Sequence, residues 1–312
     1  MNICDKQVNL IQRVSMKSIM YHYIRNISKL FPNYNILEKK DYTNQIKKFS
    51  EKGLINSYDE LFISSNKFLP TFDDGFKDHI FAAEVLKKYN SIGIFFIPTS
   101  PLENNTILDV HKTHLILGKV KSSEALNELE KYLQKNKITK FYNKNEKSKY
   151  KSAYKKYLDE DDKKRFKKIM NYYADLKLKH KILDYLLKKF EINIKTKDYY
   201  LNKKEIKYLQ SLGMIIGSHS QSHTLLSRLS YREQLKELKN SKIFLEKIIN
   251  KDVDIFCYPY GGKISYNNNT LKILKKLKFK LAYSVEYRDT SFRDIRQKPY
   301  ELPRYDCNLF NY

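Results

Sequence analysis

The chain has 312 residues, of which 41% are hydrophobic, so it can bury the core of one large domain or of two small ones. Its formal net charge of +25 would suit nucleic acid, an anionic membrane surface or an acidic glycan as a partner. The basic residues are spread along the chain, however, and 8 Gly, 7 Pro and no Trp beside abundant Lys favour a general compositional bias.

Apolar runs and helical spacing alternate over the first third of the chain. A first strand is predicted at Ser18–Tyr23, and helical spacing follows from Ile36 to a stop at Gly53. Phe68–Phe72 predicts a buried strand, followed by a helix from about Lys77 to Tyr89. The continuous apolar character of Gly93–Pro98 predicts another buried strand. This alternation is typical of parallel βαβ units.

A helical insertion is predicted at about residues 119–200, where strand signals vanish and Lys, Tyr, Glu and Asn dominate. Helices are expected at Ser122–Asn136 and Asp161–Phe190, separated by the lysine- and tyrosine-rich stretch Lys140–Lys156. The charge runs here are typical of solvated helix faces, which we prefer to a dedicated binding function.

The alternation resumes after the insertion. Asn202 with Glu205, and Ser230 with Glu233, each form a capping pattern before a predicted helix. The further predicted elements are the strand Met214–Ser218, the strand Asp254–Tyr258, the helix Leu271–Leu277, the strand Lys280–Val285 and the extended segment Leu302–Asp306. Polar groups at the carboxyl ends of such strands are what the active site of a βα-barrel requires.

Two short stretches carry potential chemistry, each directly after a predicted strand. One supplies the adjacent carboxylates of Asp73 and Asp74, and the other supplies His219 and His223. One Asp and two His suit a divalent cation of the zinc type, and the second carboxylate could then serve as a base. Taken alone, Asp-Asp-Gly is more often a simple turn, and a His pair four residues apart can arise by chance.

Two further segments are weaker candidates. His111 and His114 have a spacing that suits one helix face, and we expect a structural or substrate-adjacent position for them. Tyr258–Gly262, which is Tyr-Pro-Tyr-Gly-Gly, follows a strand and could present a backbone N–H to an oxyanion, although a tight turn explains it as well.

Cysteine usage and the N-terminal sequence predict a cytoplasmic protein. Cys4, Cys257 and Cys307 are odd in number and lack Cys-x-x-Cys spacing, which argues against a disulfide framework and favours a reducing compartment. No signal-peptide-like apolar core is evident at the N-terminus. No stretch approaches the roughly 18 apolar residues of a membrane span.

Three motifs, in this order and spacing, resemble those of the polysaccharide deacetylase family, the NodB-homology or carbohydrate esterase 4 group. They are Thr71–Gly75 (Thr-Phe-Asp-Asp-Gly), His219–His223 (His-x-x-x-His) and Tyr258–Gly262. The match covers roughly Ser18–Val120 and Tyr199–Asp306. The combination is far more specific than any one of the motifs.

The resemblance implies an α/β fold, a distorted (β/α)7 barrel, as a single domain over residues 1–312 with the helical insertion within it. It implies hydrolysis of the N-acetyl group of an amino sugar, with release of acetate, and one bound divalent metal ion, Zn²⁺ first and Co²⁺, Ni²⁺ or Mn²⁺ as alternatives. Asp73 is then the general base, and the backbone N–H of Tyr260, after Pro259, helps to hold the oxyanion. The implied metal ligands are Asp74, His219 and His223.

The sequence departs from the family pattern at two positions. Many members take the general acid from a late Leu-x-x-His motif, but this chain has no His after His223. One branch, like the bacterial poly-N-acetylglucosamine deacetylases, has a His near the N-terminus in a Tyr-His context, which makes His22 the candidate acid. The Arg that many members place against the base is missing from the Pro-Tyr motif, and Arg304 is the candidate replacement.

Three features resemble those of deacetylases encoded beside surface-polysaccharide genes: the helical insertion, the segment Val110-His111-Lys112 and the absence of a signal. The expected substrate is therefore a glycan precursor made inside the cell, nucleotide- or lipid-linked, with peripheral membrane contact as an open option. A catalytically impaired glycan-binding protein of the same fold remains the alternative. A nucleic-acid-binding protein is disfavoured because no zinc-finger, helix-turn-helix or RNA-binding signature is present. The oligomeric state is not predicted.

Overall fold

The computed structural model describes residues 15–63, 66–142, 144–153 and 160–310. Cys4 and the N-terminal segment considered above lie outside the described residues, as do parts of Lys140–Lys156. The chain divides into two compact units. The first consists of the described parts of Met1–Asn26, Ile36–Asn105 and Lys197–Tyr312, and the second of Ile27–Asn35 and Thr106–Thr196.

The first unit is built on a curled sheet of eight strands. They are β1 (Ser15–Tyr21), β2 (Phe68–Phe72), β3 (Ile94–Ile97), β4 (Ile215–Ser218), β5 (Ile255–Cys257), β6 (Leu281–Tyr283), β7 (Thr290–Ser291) and β8 (Tyr305–Asp306). The strand order is β6-β5-β4-β3-β2-β1-β7, and β8 also pairs with β1. Among these strands, only the short β7 runs antiparallel to its neighbour.

The segment that leads into β8 closes the sheet into a ring. Leu302 forms a parallel bridge with Tyr283 of β6, and three positions later Tyr305 pairs with Ile19 of β1. The backbone N–H of Ser284 donates to the Leu302 carbonyl at 2.8 Å, and the Leu302 N–H donates to Ala282 at 2.9 Å. Seven parallel segments therefore surround one core, and the predicted distorted (β/α)7 barrel is confirmed.

Helices of the first unit follow the strands, as βαβ connections require. Both predicted capping boxes are present: Asn202 with Glu205 begins one helix, and Ser230 with Glu233 begins another. The helices are Lys39–Lys52, His79–Lys88, Ser100–Asn104, Lys203–Ser211, Tyr231–Ile249, Asn268–Lys276 and Phe292–Gln297, with 3-10 turns at Asp59–Phe62, Leu226–Arg228 and Cys307–Leu309. A short helix covers Thr196–Tyr199.

Aromatic packing fixes the strand that carries the two adjacent carboxylates. All five residues of β2 are buried. The Phe72 ring stacks on Phe95 of β3, with centroids 4.4 Å apart, and on Tyr21 of β1, with centroids 5.3 Å apart. The residue before Asp73 is thus held between both neighbouring strands.

The second unit is helical in its described residues. One prediction is wrong here: Asp161–Phe190 is two helices rather than one. A π-helical turn at Ile169–Tyr173 ends the first, and the Asp175 side chain begins the second by accepting hydrogen bonds from the backbone of Lys177 and Leu178. The helices are Asp109–Lys119, Ser122–Lys135, Lys144–Lys149, Asp161–Lys168 and Leu176–Lys189. No helix of the described residues is both long and apolar enough for a transmembrane span.

Candidate active site

The carboxyl ends of the parallel strands gather the candidate residues of the first unit at one edge of the barrel. The register of β1 and β2 pairs Tyr21 with Phe72, so the next residues, His22 and Asp73, are neighbours. The Asp73 N–H donates to the Tyr21 carbonyl at 3.0 Å, and the His219 N–H donates to Ile97 of β3 at 3.2 Å. Strand pairing therefore places His22 beside Asp73 and anchors the backbone of His219 to β3.

Asp74, His219 and His223 form a buried group of potential metal ligands. Their ligand atoms lie within 4.8 Å of one another. Oδ1 of Asp74 is 3.5 Å from Nε2 of His219 and 3.3 Å from Nε2 of His223. One carboxylate and two imidazoles are a donor set that suits a cation of the zinc type.

A backbone contact sets the orientation of His219. Its Nδ1 lies 2.8 Å from the Cys257 carbonyl and donates to it, so Nε2 is the nitrogen directed at Asp74. Burial lowers the pKa of His219, although Asp73 and Asp74 act in the opposite direction. The neutral imidazole, which is the form that binds metals, is therefore favoured.

The backbone at the site adopts left-handed conformations at residues other than glycine. Asp74 has φ of 78°, Ser220 of 62°, His223 of 55° and Tyr260 of 65°. Such conformations cost free energy and persist where the surroundings enforce them, commonly at functional sites. The Ser220 hydroxyl accepts a hydrogen bond from the His223 N–H at 3.1 Å, which supports the turn between the two histidines.

Arg304 forms a bidentate ion pair with Asp73. Nη1 donates to Oδ1 at 2.7 Å, and Nη2 donates to Oδ2 at 2.8 Å. Both side chains are buried. Burial alone would raise the pKa of Asp73, but the charge and hydrogen bonds of Arg304 outweigh it and lower the pKa to about 2. Asp73 is therefore a carboxylate at any pH near neutrality.

Cys257 is a component of the site that the sequence did not single out. Its Sγ lies 2.9 Å from Nη2 of Arg304 and 3.6 Å from Oδ2 of Asp73. Burial raises the pKa of the thiol well above its ordinary value, so the group stays protonated and can donate to Asp73. Its position at the end of β5, two residues before Pro259, was the only sequence signal that could have identified it.

His22 lies at the open side of the same group. Its Nε2 is 3.9 Å from Oδ2 of Asp73 and 4.0 Å from Oδ2 of Asp74, and its side chain is 37% exposed. A second histidine, His79, contacts the backbone of His22: Nε2 of His79 donates to the His22 carbonyl at 2.9 Å. Burial lowers the pKa of His79 to about 4, so this imidazole is neutral.

The Pro-Tyr segment lies beside His223. Pro259 is buried and Tyr260 is partly exposed, with its ring centroid 5.1 Å from that of His223. The following residue, Gly261, has φ of 67°, and a Cβ there would meet Cγ2 of Val285 at 2.3 Å. Only glycine fits this turn without displacement.

His111 and His114 belong to a different part of the chain. They lie on the helix Asp109–Lys119 of the second unit, with ring centroids 5.9 Å apart. The donor group of Asp74, His219 and His223 consists of first-unit residues only.

A known family matches most of this chain. The sequence profile of the family described as polysaccharide deacetylase matches residues 64–282. PdaC of Bacillus subtilis (strain 168), named as a peptidoglycan-N-acetylmuramic acid deacetylase, is 42% identical over 50 residues, which are 16% of this chain and 11% of PdaC. YxkH of the same organism, provisionally named as a polysaccharide deacetylase, is 27% identical over 88 residues, which are 28% of this chain and 30% of YxkH. The matches thus span less than a third of either curated relative.

Solved structures share the fold. The deacetylase PplD of Streptococcus pyogenes, in complex with acetate, has a TM-score of 0.58 at 19% identity, covering 94% of this chain and 92% of PplD. IcaB of Ammonifex degensii has a TM-score of 0.55 at 13% identity, covering 94% of this chain and 91% of IcaB. Since the family profile spans well over half of its length, this chain belongs to the polysaccharide deacetylase family.

Proposed function

We propose that the protein is a metal-dependent hydrolase that removes the N-acetyl group from an amino sugar of a glycan or glycan precursor and releases acetate. One observation carries the proposal. A carboxylate held ionised by a buried arginine, Asp73, directly precedes the carboxylate of a three-residue donor set. A base beside a potential metal site is the arrangement that metal-assisted hydrolysis of an amide requires.

The proposed metal ligands are Asp74, His219 and His223. A divalent ion held by them, Zn²⁺ or alternatively Co²⁺, Ni²⁺ or Mn²⁺, would supply a Lewis acid and lower the pKa of a bound water. Asp73 accepts the proton of the attacking water, and Arg304 keeps that carboxylate ionised and oriented.

The two remaining roles are those of the general acid and of the oxyanion donor. His22 donates a proton to the departing amide nitrogen, because an unprotonated amine anion is a poor leaving group. Its Nε2 lies 3.9 Å from Oδ2 of Asp73 and 4.0 Å from Oδ2 of Asp74, which places the imidazole beside the proposed base. The backbone N–H of Tyr260 is the proposed donor to the developing oxyanion.

The proposed substrate class is an N-acetylated sugar of a surface glycan or of its nucleotide- or lipid-linked precursor, handled in the cytoplasm or at the inner face of the membrane. The deacetylase names of PdaC and PplD support the reaction. The net charge of +25 is compatible with an anionic, phosphate-linked precursor. We further propose a single enzymatic domain in which the helical region, about residues 119–200, is an insertion.

Metal loading and acetate release from N-acetylated oligosaccharides test the proposal together. We expect one Zn²⁺ per chain. Asp73→Asn should abolish turnover and retain the metal, whereas His219→Ala should lose both. If the wild-type protein binds metal but leaves all N-acetylated glycans and precursors unchanged, the alternative, a catalytically impaired glycan-binding protein of the same fold, replaces the enzyme.

A further inference from the structure

The turn that carries the two histidines is held by a glutamate from a neighbouring helix. Oε2 of Glu237, on the helix Tyr231–Ile249, accepts hydrogen bonds from the backbone N–H of Gln221 at 3.1 Å and of Ser222 at 2.8 Å. Oε1 accepts one from the Ser222 hydroxyl at 2.8 Å. One carboxylate thus binds the two residues in the middle of the turn.

Glu237 belongs to a polar stripe on the face of its helix that meets the end of β4. Asn240 donates to the side-chain oxygen of Gln221 at 3.2 Å, and the hydroxyls of Ser241 and Ser218 are 2.8 Å apart. Positions separated by three and four residues share one helix face. The face that would ordinarily be apolar is therefore polar where it contacts the histidine turn.

The carboxylate of Glu237, with the two backbone amides that it binds, forms a clamp on the turn. The clamp lies where the backbone conformation is least favourable. Ser220 and His223, on either side of the two clamped amides, both have positive φ. Left-handed residues other than glycine need such external support, because their conformation costs free energy. Charged hydrogen-bond acceptors give the strongest support of this kind.

We infer that Glu237 is a positioning residue for the metal site: by holding the amides of Gln221 and Ser222 it fixes the turn that directs His223 towards Asp74. This inference rests on the proposed metal site, but the clamp itself can be measured without metal. Residues that orient ligands typically change metal affinity by about 10- to 100-fold when they are replaced.

The experiment compares Glu237→Gln with Glu246→Gln, a matched control on the same helix. Glu246 also accepts a backbone N–H, that of Val253 at 3.1 Å, but away from the histidine turn. Zn²⁺ affinity is measured by competition with a chromophoric chelator. Amide hydrogen exchange at Gln221 and Ser222 is measured in the metal-free proteins, together with their thermal stability.

We expect Glu237→Gln to bind Zn²⁺ about tenfold more weakly and to exchange the two amides about tenfold faster, with both properties near wild-type in Glu246→Gln. An unchanged Zn²⁺ affinity in Glu237→Gln, or an equal loss in the control, overturns the inference while the proposed function stands. If the wild-type protein binds no Zn²⁺, the metal site fails, and the positioning role fails with it.

Discussion

Arg304 and Asp73 are separated by 231 positions in the sequence, yet Nη1 and Nη2 of Arg304 donate hydrogen bonds to Oδ1 and Oδ2 of Asp73, at 2.7 and 2.8 Å. The arginine comes from the segment that closes the barrel, and the aspartate follows β2. The planar guanidinium therefore orients the carboxylate of Asp73, the proposed base, and also keeps it ionised.

Arg304→Lys should weaken this pair, because lysine offers one point charge in place of two parallel donors. We expect acetate release to fall by about tenfold or more. The weaker attraction then offsets less of the effect of burial, so the pKa of Asp73 should rise from about 2. In a pH–rate profile the acid limb should move to higher pH. A parallel loss of activity at every pH, with no movement of that limb, would contradict the proposed role.

His22→Gln should affect substrates according to their leaving group. An amide nitrogen needs a proton to depart, whereas the phenolate of an aryl acetate does not. We expect a loss of about 100-fold or more with an N-acetylated sugar and a much smaller loss with an aryl acetate. Equal losses with both substrates would show that His22 is not the general acid.

His79→Gln should change the pH dependence of stability. The pKa of His79 is lowered from 6.5 to about 4 by burial, and its Nδ1 has no hydrogen-bond partner within the described residues. As the pH falls, the unfolded chain therefore binds this proton before the folded protein does, and stability is lost between about pH 6.5 and 4. Protonation of His79 should lower the free energy of unfolding by about 3 kcal/mol over this pH range.

Glutamine keeps a donor for the His22 carbonyl but carries no titrating group. Denaturant unfolding of metal-free protein should show a shallower loss of stability towards pH 4 in His79→Gln than in the wild type. Identical slopes for the two proteins would mean that the folded histidine charges freely.

Gly261→Ala should disturb the Pro-Tyr segment, while Gly262→Ala serves as its control. A Cβ at Gly261 meets Val285 and stands on a backbone of positive φ, whereas a Cβ at Gly262 meets nothing within 4 Å among the described residues. We expect a destabilisation of about 1–3 kcal/mol for the first substitution and much less for the second. Thermal unfolding and acetate release are measured for both variants. A loss of activity in Gly261→Ala alone would support Tyr260 as an oxyanion donor.

The strands and the adjacent motif residues could be predicted from the sequence because both are local. Phe68–Phe72 reads as a strand from five consecutive residues, and its predicted limits match the structure. Asp73 and Asp74 follow it directly, so their position at the edge of the barrel follows from the strand assignment.

The supporting residues could not be predicted because their contacts depend on three-dimensional closure. Cys257 meets Asp73 across 184 positions, and His79 reaches the His22 carbonyl across 57. Neither has a spacing that distinguishes it from a core residue. Glu237 was hidden for another reason: in the sequence it is one acidic residue on an amphipathic helix.

The strand that completes the ring has a kinetic consequence. Tyr305 of β8 pairs with Ile19, near the other end of the described chain, and closing so long a loop carries an entropic cost, so β8 is expected to pair with β1 late in folding. When it detaches, the edges of β1 and β6 open and Asp73 loses its counter-charge in the same event. On heating, activity should therefore disappear with the release of one short strand, before the rest of the barrel melts.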